Sequence, residues 1–274
     1  MATNPVEEHY TSTDLGAAIL AALRAAGKDI EHLSPDDLAP VDEFHGGQRP
    51  ATVRLATLLG LEGAERVLDV GSGLGGPSRY LASRYGCRVS GVDLTAEFCR
   101  VAEMLTRLLK LETLVDYRQG NALALPFADM SFDVVWSQNA AMNIADRDRL
   151  YREMRRVLKP GGRLGLQEVA LRAGGAPHYP VPWAKEPSIS FLLTPEKTRE
   201  SLEAAGLRVV QWQDTTAASL AAAQARSRSA EVGQPPPIGT HLILGAHWQE
   251  MAKNSTRNLE EGRVALFNAV LERV

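Results

Sequence analysis

Short strand-like runs alternate with amphipathic segments from residue 66 onward. Runs rich in β-branched and other apolar residues predict strands at 66–70, 87–92, 115–119, 132–138, 162–169 and 207–214. Apolar residues at helical spacing predict helices at 77–85, 96–110, 146–158 and 194–206. Strands that alternate with helices in this way predict an α/β fold, doubly wound, in which helices cover both faces of a mostly parallel sheet.

Both ends of the chain depart from this alternation. Two amphipathic helices, at 14–23 and 49–60, flank a capped turn before the first strand. After the fifth strand, the Pro-rich GAPHYPVPWAKEP and a long interruption break the rhythm, and SRSAEVGQPPP within that interruption has the composition of a flexible loop. The closing run, RVALFNAVLERV at 263–274, predicts a strand, with a helix as the alternative.

A glycine-rich turn, VLDVGSGLGG, joins the first of these strands to the helix that follows it. Such a turn usually brings the backbone close to a ligand. Its glycines fit two spacings, the dinucleotide pattern at Gly71, Gly73 and Gly76 and the S-adenosylmethionine pattern at Gly71, Gly73 and Gly75. Asp69 favours the second, because a carboxylate there would repel a pyrophosphate but suits an amino group and a sulfonium.

The next two strand ends carry polar residues suited to a nucleoside. Asp93 ends the second strand, 22 positions after Gly71, and an acid there can accept hydrogen bonds from both ribose hydroxyls. Nicotinamide and S-adenosylmethionine sites share this acid, so it does not choose between them. Beyond the third strand, Asn121 offers an acceptor and donors to an adenine edge, and Leu123 would lie against the base. The alternative for Asn121 is a plain turn residue after Gly120.

These motifs resemble those of the class I S-adenosylmethionine-dependent methyltransferases. The resemblance rests on VLDVGSGLGG, VDLT, GNALALPFADMSFDVVWSQ and RVLKPGGRL. Within that family, DEFHGGQRPAT and WSQNAAMNI are similar to small-molecule enzymes of the sarcosine/dimethylglycine and natural-product type. The resemblance implies S-adenosylmethionine as the methyl donor, bound by Asp69, Gly71, Ser72, Gly73, Gly75, Asp93, Leu94, Asn121, Ala122, Leu123, Ser137 and Gln138.

Two positions depart from the family pattern. Asn121 stands where relatives most often have Asp, which weakens one hydrogen bond to adenine without abolishing recognition. Asn143 stands where many relatives have His, so no histidine general base is expected at that place.

The resemblance also implies how the fold is completed. A seventh strand at the end of the chain would be inserted antiparallel into the otherwise mostly parallel sheet. Residues 1–62 would form a helical N-terminal cap, and residues 63–274 the donor-binding domain. Insertions at about 170–194 and 215–262 would build a lid at the carboxyl edge of the sheet, where open α/β folds bind ligands, and would choose the acceptor.

Methyl transfer from a sulfonium is an in-line displacement, so positioning and exclusion of water supply much of the acceleration. A general base is needed only when the acceptor must lose a proton. The catalytic candidates are Glu168, Gln138 and Asn139, which lie at the ends of the fifth and fourth strands. Glu168 would act as a base, orient an amine or cap a neighbouring loop. His45 and the two glycines after it would close over the methionine end of the donor.

Composition narrows the partners and the location. A formal net charge of −3 gives no basic surface for nucleic acid. The two cysteines and the lack of a Cys/His cluster predict neither a disulfide framework nor a metal site. No apolar run is long enough for a bilayer, which predicts a cytoplasmic protein without a membrane partner. Large apolar residues in the insertions predict a small-molecule acceptor with apolar surface, and a homodimer is left open.

Two other functions stay open from the sequence. One is an NAD(P)-dependent oxidoreductase that uses the dinucleotide spacing, although Asp69 and the lack of a convincing catalytic pair oppose it. The other is a non-catalytic protein that binds S-adenosylmethionine, which the intact strand-end motifs disfavour.

Overall fold

The computed structural model describes residues 5–10, 14–230 and 237–274. The strands within these ranges are β1 (Arg66–Val70), β2 (Arg88–Asp93), β3 (Val115–Gln119), β4 (Phe132–Gln138), β5 (Leu158–Leu171), β6 (Leu207–Asp214) and β7 (Val264–Arg273). They form one sheet in the order β3-β2-β1-β4-β5-β7-β6. Strands β1 to β5 pair in parallel, whereas β7 is antiparallel to both β5 and β6. The predicted seven-stranded, mostly parallel sheet is confirmed, and its closing segment is a strand rather than a helix.

Strand β5 is longer than the pattern predicts, since it begins at Leu158 rather than at residue 162. The KPGG sequence, predicted to be a turn before the strand, lies inside it. Phe132 pairs with Leu158 and Val134 pairs with Arg163, so the register shifts across this stretch. The irregularity accommodates the two glycines while β4 and β5 stay paired.

The helices lie before, between and after the strands. The N-terminal ones are α1 (Pro5–Tyr10), α2 (Leu15–Ala25), α3 (Pro35–Asp42) and α4 (Gln48–Leu59), followed between strands by α5 (Gly76–Tyr85), α6 (Ala96–Leu108), α7 (Arg147–Val157) and α8 (Pro195–Ala204). Before β7 come α9 (Thr216–Ala230), α10 (His241–Leu244) and α11 (Trp248–Glu260). Each helix predicted from periodicity is present, with its ends shifted by a few residues. In the described ranges, no helix is long and apolar enough to cross a membrane.

The interruption at 215–262 contains three helices that periodicity did not predict, α9, α10 and α11, of which α9 and α11 pack on each other. The sequence of α9, TAASLAAAQARSRSA, distributes alanines around the helix instead of forming an apolar stripe. The Thr215 backbone N–H donates to the Leu266 carbonyl at 2.8 Å, which fixes the start of α9 against β7. Of the predicted flexible loop, residues 231–236 lie outside the described residues.

Alternation along β1 decides which side chains reach the site. Val67 packs with Leu81 of α5 on one face of the sheet, and Leu68 packs with Met154 of α7 on the other. Because side chains alternate in a strand, Asp69 shares the face of Val67 and lies beneath α5. The sheet therefore presents this carboxylate at its carboxyl edge.

Candidate functional site

A cavity of about 1540 Å³ opens at the carboxyl edge of the sheet. Its volume exceeds the roughly 300–1000 Å³ that is typical of one small-molecule site, so it has room for two ligands. Among the residues that line it are the predicted Asp69, Gly71, Ser72, Gly73, Asp93, Leu94, Asn121, Ala122, Leu123, Gln138 and Asn139. We call this polar group of strand-end residues the donor half.

The glycines of the turn serve two different purposes. Gly71 has a φ of +77°, and a Cβ there would lie 2.4 Å from the Cβ of Ala140. Gly73 has a φ of +52°, but a Cβ there would meet no described heavy atom within 4 Å. The first glycine is therefore required by packing, whereas the second leaves its backbone open to the cavity.

Two predicted donor-binding residues, Gly75 and Ser137, support the wall without lining it. Gly75 precedes α5, and a Cβ there would lie 2.0 Å from the Tyr117 hydroxyl. The same hydroxyl donates to the Gly75 carbonyl at 3.3 Å. The Ser137 hydroxyl donates to the Val70 carbonyl at 3.0 Å, which links the ends of β4 and β1. Both residues fix the backbone of the donor half.

Asp93 holds the glycine turn and still faces the cavity. One carboxyl oxygen accepts from the Gly73 N–H at 2.8 Å, and the other accepts from the Thr95 N–H at 2.9 Å. Burial raises the pKa of Asp93, and these backbone hydrogen bonds oppose the rise. Each oxygen keeps a further lone pair, so the carboxylate can accept two hydrogen bonds from a diol.

Asp69 is a buried carboxyl that forms no ion pair with any of the described residues. It accepts from the Ser78 hydroxyl at 2.6 Å. The pKa of Asp69 is raised to about 7, mainly because the carboxyl is buried. The Ser78 hydrogen bond opposes this rise, and the charge of the neighbouring Asp93 adds to it. A positively charged ligand beside Asp69 would favour the ionised form and so be favoured by it.

A buried ion pair, which the sequence did not predict, lies beneath the turn. Arg79 of α5 is fully buried, and its Nη2 is 2.7 Å from Asp42 Oδ2 at the end of α3. The same guanidinium donates to the Leu74 carbonyl within the turn at 2.5 Å and to the Thr106 hydroxyl at 3.1 Å. Asp42 itself lines the cavity. The pair therefore attaches the N-terminal helices to the donor half.

Gln138 lies at the centre of a buried hydrogen-bond network. Its Oε1 accepts from Trp136 Nε1 at 3.0 Å and lies 3.2 Å from the Thr52 hydroxyl oxygen. Its Nε2 donates to Gln167 Oε1 at 2.6 Å. These contacts use most of the hydrogen-bonding capacity of the side chain, so little of it is available to a methyl acceptor. Gln138 therefore fixes the end of β4 beneath the cavity.

The same network clamps the peptide of Gly46. Gln167 Nε2 donates to the Gly46 carbonyl, and the Gly46 N–H donates to Asn139 Oδ1 at 2.8 Å. A Cβ at Gly46 would lie 2.6 Å from Leu266 Cδ2, so a larger residue would require the Leu266 side chain to move. Asn139 has a φ of +50°, which asparagine tolerates better than most residues, and its Nδ2 is buried without a partner among the described residues.

Two asparagines that depart from the family pattern have separate local contacts. Asn121 Oδ1 accepts from the Leu123 N–H at 2.8 Å, as expected of a turn residue, while the side chain also lines the cavity. Asn143 Oδ1 accepts from the Tyr10 hydroxyl at 3.0 Å, and its Nδ2 donates to the carbonyls of Trp183 and Ile189. Asn143 therefore joins α1 to the 170–194 insertion.

Glu168 is not among the described residues that line the cavity. Val169 is in the cavity wall, and strand alternation turns Glu168 to the opposite face, beside Arg147, whose Nη1 is 3.9 Å from Oε2. Burial raises the pKa of Glu168 to about 7, while Arg147 and the backbone N–H of Ala141 lower it. The carboxyl thus does not point into the crevice as expected, and its role as a base stays a prediction.

The rest of the wall is largely apolar and comes mostly from the two insertions. These residues, the acceptor half, are Met142, Val169, Trp183, Ile189, Phe191, Leu244, Trp248, Leu259, Val264 and Leu266. Val6 and Tyr10 of α1 complete it from the N-terminal side. A ligand bound here would be in contact mainly with hydrocarbon and aromatic surface.

Comparison with known proteins agrees with this geometry. Residues 68–166 match the family described as "Methyltransferase domain". Methyltransferase GfsG of Streptomyces halstedii is 36% identical over 154 residues, which cover 55% of this chain and 54% of that protein. The sarcosine/dimethylglycine N-methyltransferase of Halorhodospira halochloris is 28% identical over 218 residues, 78% of this chain and 76% of the relative.

The chain therefore contains a methyltransferase domain at residues 68–166, in agreement with its resemblance to the class I S-adenosylmethionine-dependent methyltransferase family. Its fold is shared by geranyl diphosphate C-methyltransferase of Streptomyces coelicolor A3(2), with a TM-score of 0.72, 21% identity and full coverage of both chains. That structure contains S-adenosyl-L-homocysteine, and the family uses S-adenosylmethionine as its cofactor. The chain spans about half the length of GfsG.

The residues of the donor half fit S-adenosylmethionine. Two buried polar atoms there, Ser72 Oγ and Asn139 Nδ2, lack a partner among the described residues, and so does Oδ1 of Asp42, which also lines the cavity. They provide both acceptors and donors, as a zwitterionic methionine moiety requires. Gly73 leaves space at the turn, and Asp93 offers its carboxylate to a ribose. When bound, the donor would supply an activated methyl group.

Replacing Asp93 with Asn is expected to weaken binding of S-adenosylmethionine about ten- to a hundredfold, since a charge-assisted hydrogen bond is lost. The new amide N–H₂ would also face the N–H of Gly73 or Thr95. Isothermal titration calorimetry measures the change. Asp116→Asn, at an exposed acid on β3, is the matched control and should bind normally. An unchanged dissociation constant for Asp93→Asn would remove the ribose assignment.

Proposed function

We propose that this protein transfers a methyl group from S-adenosylmethionine to a nitrogen, oxygen or carbon atom of a small molecule with apolar surface. The observation that carries the proposal is one continuous cavity that combines the acidic donor half with the apolar acceptor half. Asp69 suits the amino group and sulfonium of the donor, and Asp93 suits its ribose. The volume is sufficient for the two substrates to lie together.

Different segments of the chain have different roles in the proposed function. Residues 1–62 are the helical N-terminal cap, and residues 63–274 are the donor-binding domain with insertions at about 170–194 and 215–262. Side chains from both insertions line the acceptor half, so they exclude water from the reacting methyl group and choose the acceptor. In-line transfer then depends mainly on holding donor and acceptor in contact.

The proposal also covers the partner, the oligomeric state and the cellular location of the protein. The acceptor is a small metabolite rather than nucleic acid, in keeping with a formal net charge of −3. We also propose that the protein forms a homodimer and that it is located in the cytoplasm. Light scattering after size-exclusion chromatography tests the assembly, and a monomeric mass at micromolar concentration would reject the dimer.

A panel of amine, phenol and isoprenoid acceptors with methyl-labelled S-adenosylmethionine tests the activity. We expect label transfer to at least one class, with release of S-adenosylhomocysteine in equal amount. Parallel calorimetry should show binding of S-adenosylmethionine and none of NADH. Tighter binding of NADH would favour the oxidoreductase, and donor binding without label transfer to any class would favour the non-catalytic protein.

A further inference from the structure

The described residues that line the cavity include four basic ones, namely His45, Arg226, Lys253 and Arg257. Two of these are held by acids. His45 Nε2 lies 2.7 Å from Glu43 Oε2, and Arg257 Nε lies 2.5 Å from Glu261 Oε1. The remaining two form no ion pair with any described residue. The cavity wall therefore holds two positive charges that are available to a ligand.

The two acids at the end of α11 also line the cavity, but other side chains bind them. Gln224 Nε2 donates to Glu260 Oε1 at 2.8 Å. Glu261 forms ion pairs with both Arg257 and Arg263. These acids are thus engaged away from the two remaining cations of the wall and do not pair with them.

The first of these cations, Arg226, lies on the side of α9 that faces the cavity. Ser219, Ala223 and Arg226 are four and three residues apart, as on one face of a helix, and all three line the cavity. Burial lowers the pKa of Arg226, and no carboxylate opposes this effect. The guanidinium is therefore partly removed from water without a charged partner, and an anion beside it would be attracted more strongly than in bulk water.

The second cation, Lys253, lies on a helix that also supplies apolar wall. Trp248 and Leu259 of α11 belong to the acceptor half, and Lys253 lies between them on the same helix with its side chain exposed. Because α9 and α11 pack on each other, Arg226 and Lys253 come from one pair of helices. A ligand against the apolar wall thus has both cations in the same cavity.

We propose that the methyl acceptor is an amphiphile whose apolar body lies in the acceptor half and whose anionic group, a carboxylate or a phosphate, binds Arg226 and Lys253. Both side chains can donate charge-assisted hydrogen bonds to anionic oxygens, and the planar guanidinium can reach two oxygens at once. A neutral acceptor of the same shape would leave both cations without a partner. The inference rests on the proposed function, because it names the chemical class of the acceptor.

Binding of simple amphiphiles to protein saturated with S-adenosylhomocysteine tests the proposal, because that ligand fills the donor half. The probes are octanoate, octyl phosphate and octan-1-ol, which share one hydrocarbon chain and differ in the head group. Calorimetry of wild type should show at least one anion bound about tenfold or more tightly than the alcohol. Tighter binding of octanoate would identify a carboxylic acid as the acceptor class, and tighter binding of octyl phosphate would identify a phosphate ester.

Variants assign the preference to the two cations. Arg226→Gln and Lys253→Gln should each lower the affinity for the anions about three- to tenfold and leave the affinity for octan-1-ol within about twofold. Arg226→Lys keeps the charge and should keep most of the preference. The matched control is Arg172→Gln, because Arg172 is paired with Asp214 and is not among the described residues that line the cavity.

Two results would overturn this inference alone. One is wild type that binds S-adenosylhomocysteine but prefers neither anion to the alcohol, and the other is an unchanged preference in both glutamine variants. Equal weakening of S-adenosylhomocysteine and the anions in Arg226→Gln would assign that cation to the donor and would also overturn it. A wild-type protein that does not bind S-adenosylhomocysteine would refute the proposed function, and the acceptor class with it.

Discussion

Arg79→Met is expected to lower the free energy of unfolding by about 3–5 kcal/mol, because removing one partner of a buried ion pair leaves the other charge uncompensated. Asp42 would remain buried without its 2.7 Å contact, and the Leu74 carbonyl in the glycine turn would lose its donor. Donor affinity should fall with stability, since the turn is part of the donor half. Urea unfolding and calorimetry measure the two effects.

The matched control is Arg100→Met. This substitution removes an exposed arginine of α6 whose Nη2 lies 2.6 Å from Glu97 Oε1 on the same helix. It should change stability by less than about 1 kcal/mol, as surface ion pairs usually do. The double variant Arg79→Met/Asp42→Leu should recover part of the loss, because the orphaned charge is removed as well. A loss below about 1 kcal/mol in Arg79→Met would show that the pair does not support the fold.

Glu168→Gln is expected to be more stable than wild type at alkaline pH, by about 3 kcal/mol. The pKa of Glu168 is raised from 4.5 to about 7 by burial, so the folded protein binds more protons than the unfolded chain between those values. Wild type therefore loses stability as the pH rises from about 4.5 through about 7, whereas glutamine does not titrate. The attraction of Arg147 is already included in that pKa.

Urea unfolding at pH 5 and pH 8.5 measures this difference, which should be small at the lower pH and large at the higher one. Glu112→Gln, at an exposed glutamate, should show no such dependence. If Glu168→Gln were instead less stable than wild type at pH 8.5, the ionised carboxylate would stabilise the fold. The assignment of Glu168 as a buried acid with a raised pKa would then be wrong.

The same variant tests the predicted base. With an acceptor found by the panel described above, we expect turnover within about tenfold of wild type, because Glu168 lies beside Arg147 and is not among the described residues that line the cavity. A loss of about 10²–10⁴-fold with unchanged donor affinity would restore Glu168 as a general base.

Glu168 also shows where sequence reasoning reached its limit. The strand sequence LGLQEVA carries two adjacent polar residues, and only one of them can face the cavity side of the sheet. The register places Gln167 beneath Gly46 and Glu168 against Arg147. A pattern of period two identifies the strand but not which of its faces the lid covers, so the sequence alone does not decide which member of the pair faces the cavity.

The donor residues were more predictable because they lie at strand ends, and strand ends follow from local apolar patterns. Asp69 and Asp93 illustrate this, since each ends or nearly ends a short apolar run. The supporting contacts were not predictable in the same way. The hydrogen bonds of Gln167 and of Asn139 to the Gly46 peptide join residues that are 121 and 93 positions apart. Only the folded sheet brings those partners together.

Methyl transfer changes the charge of the bound cofactor but leaves the carboxylates of the donor half in place. The sulfonium that enters is positive, and the thioether that remains is neutral, while Asp69 and Asp93 still face the cavity. Attraction between opposite charges is stronger in a partly desolvated cavity than in water, so the wall loses a favourable interaction when the methyl group leaves. In the proposed reaction, the electrostatics of the donor half therefore favour the charged sulfonium over the neutral thioether.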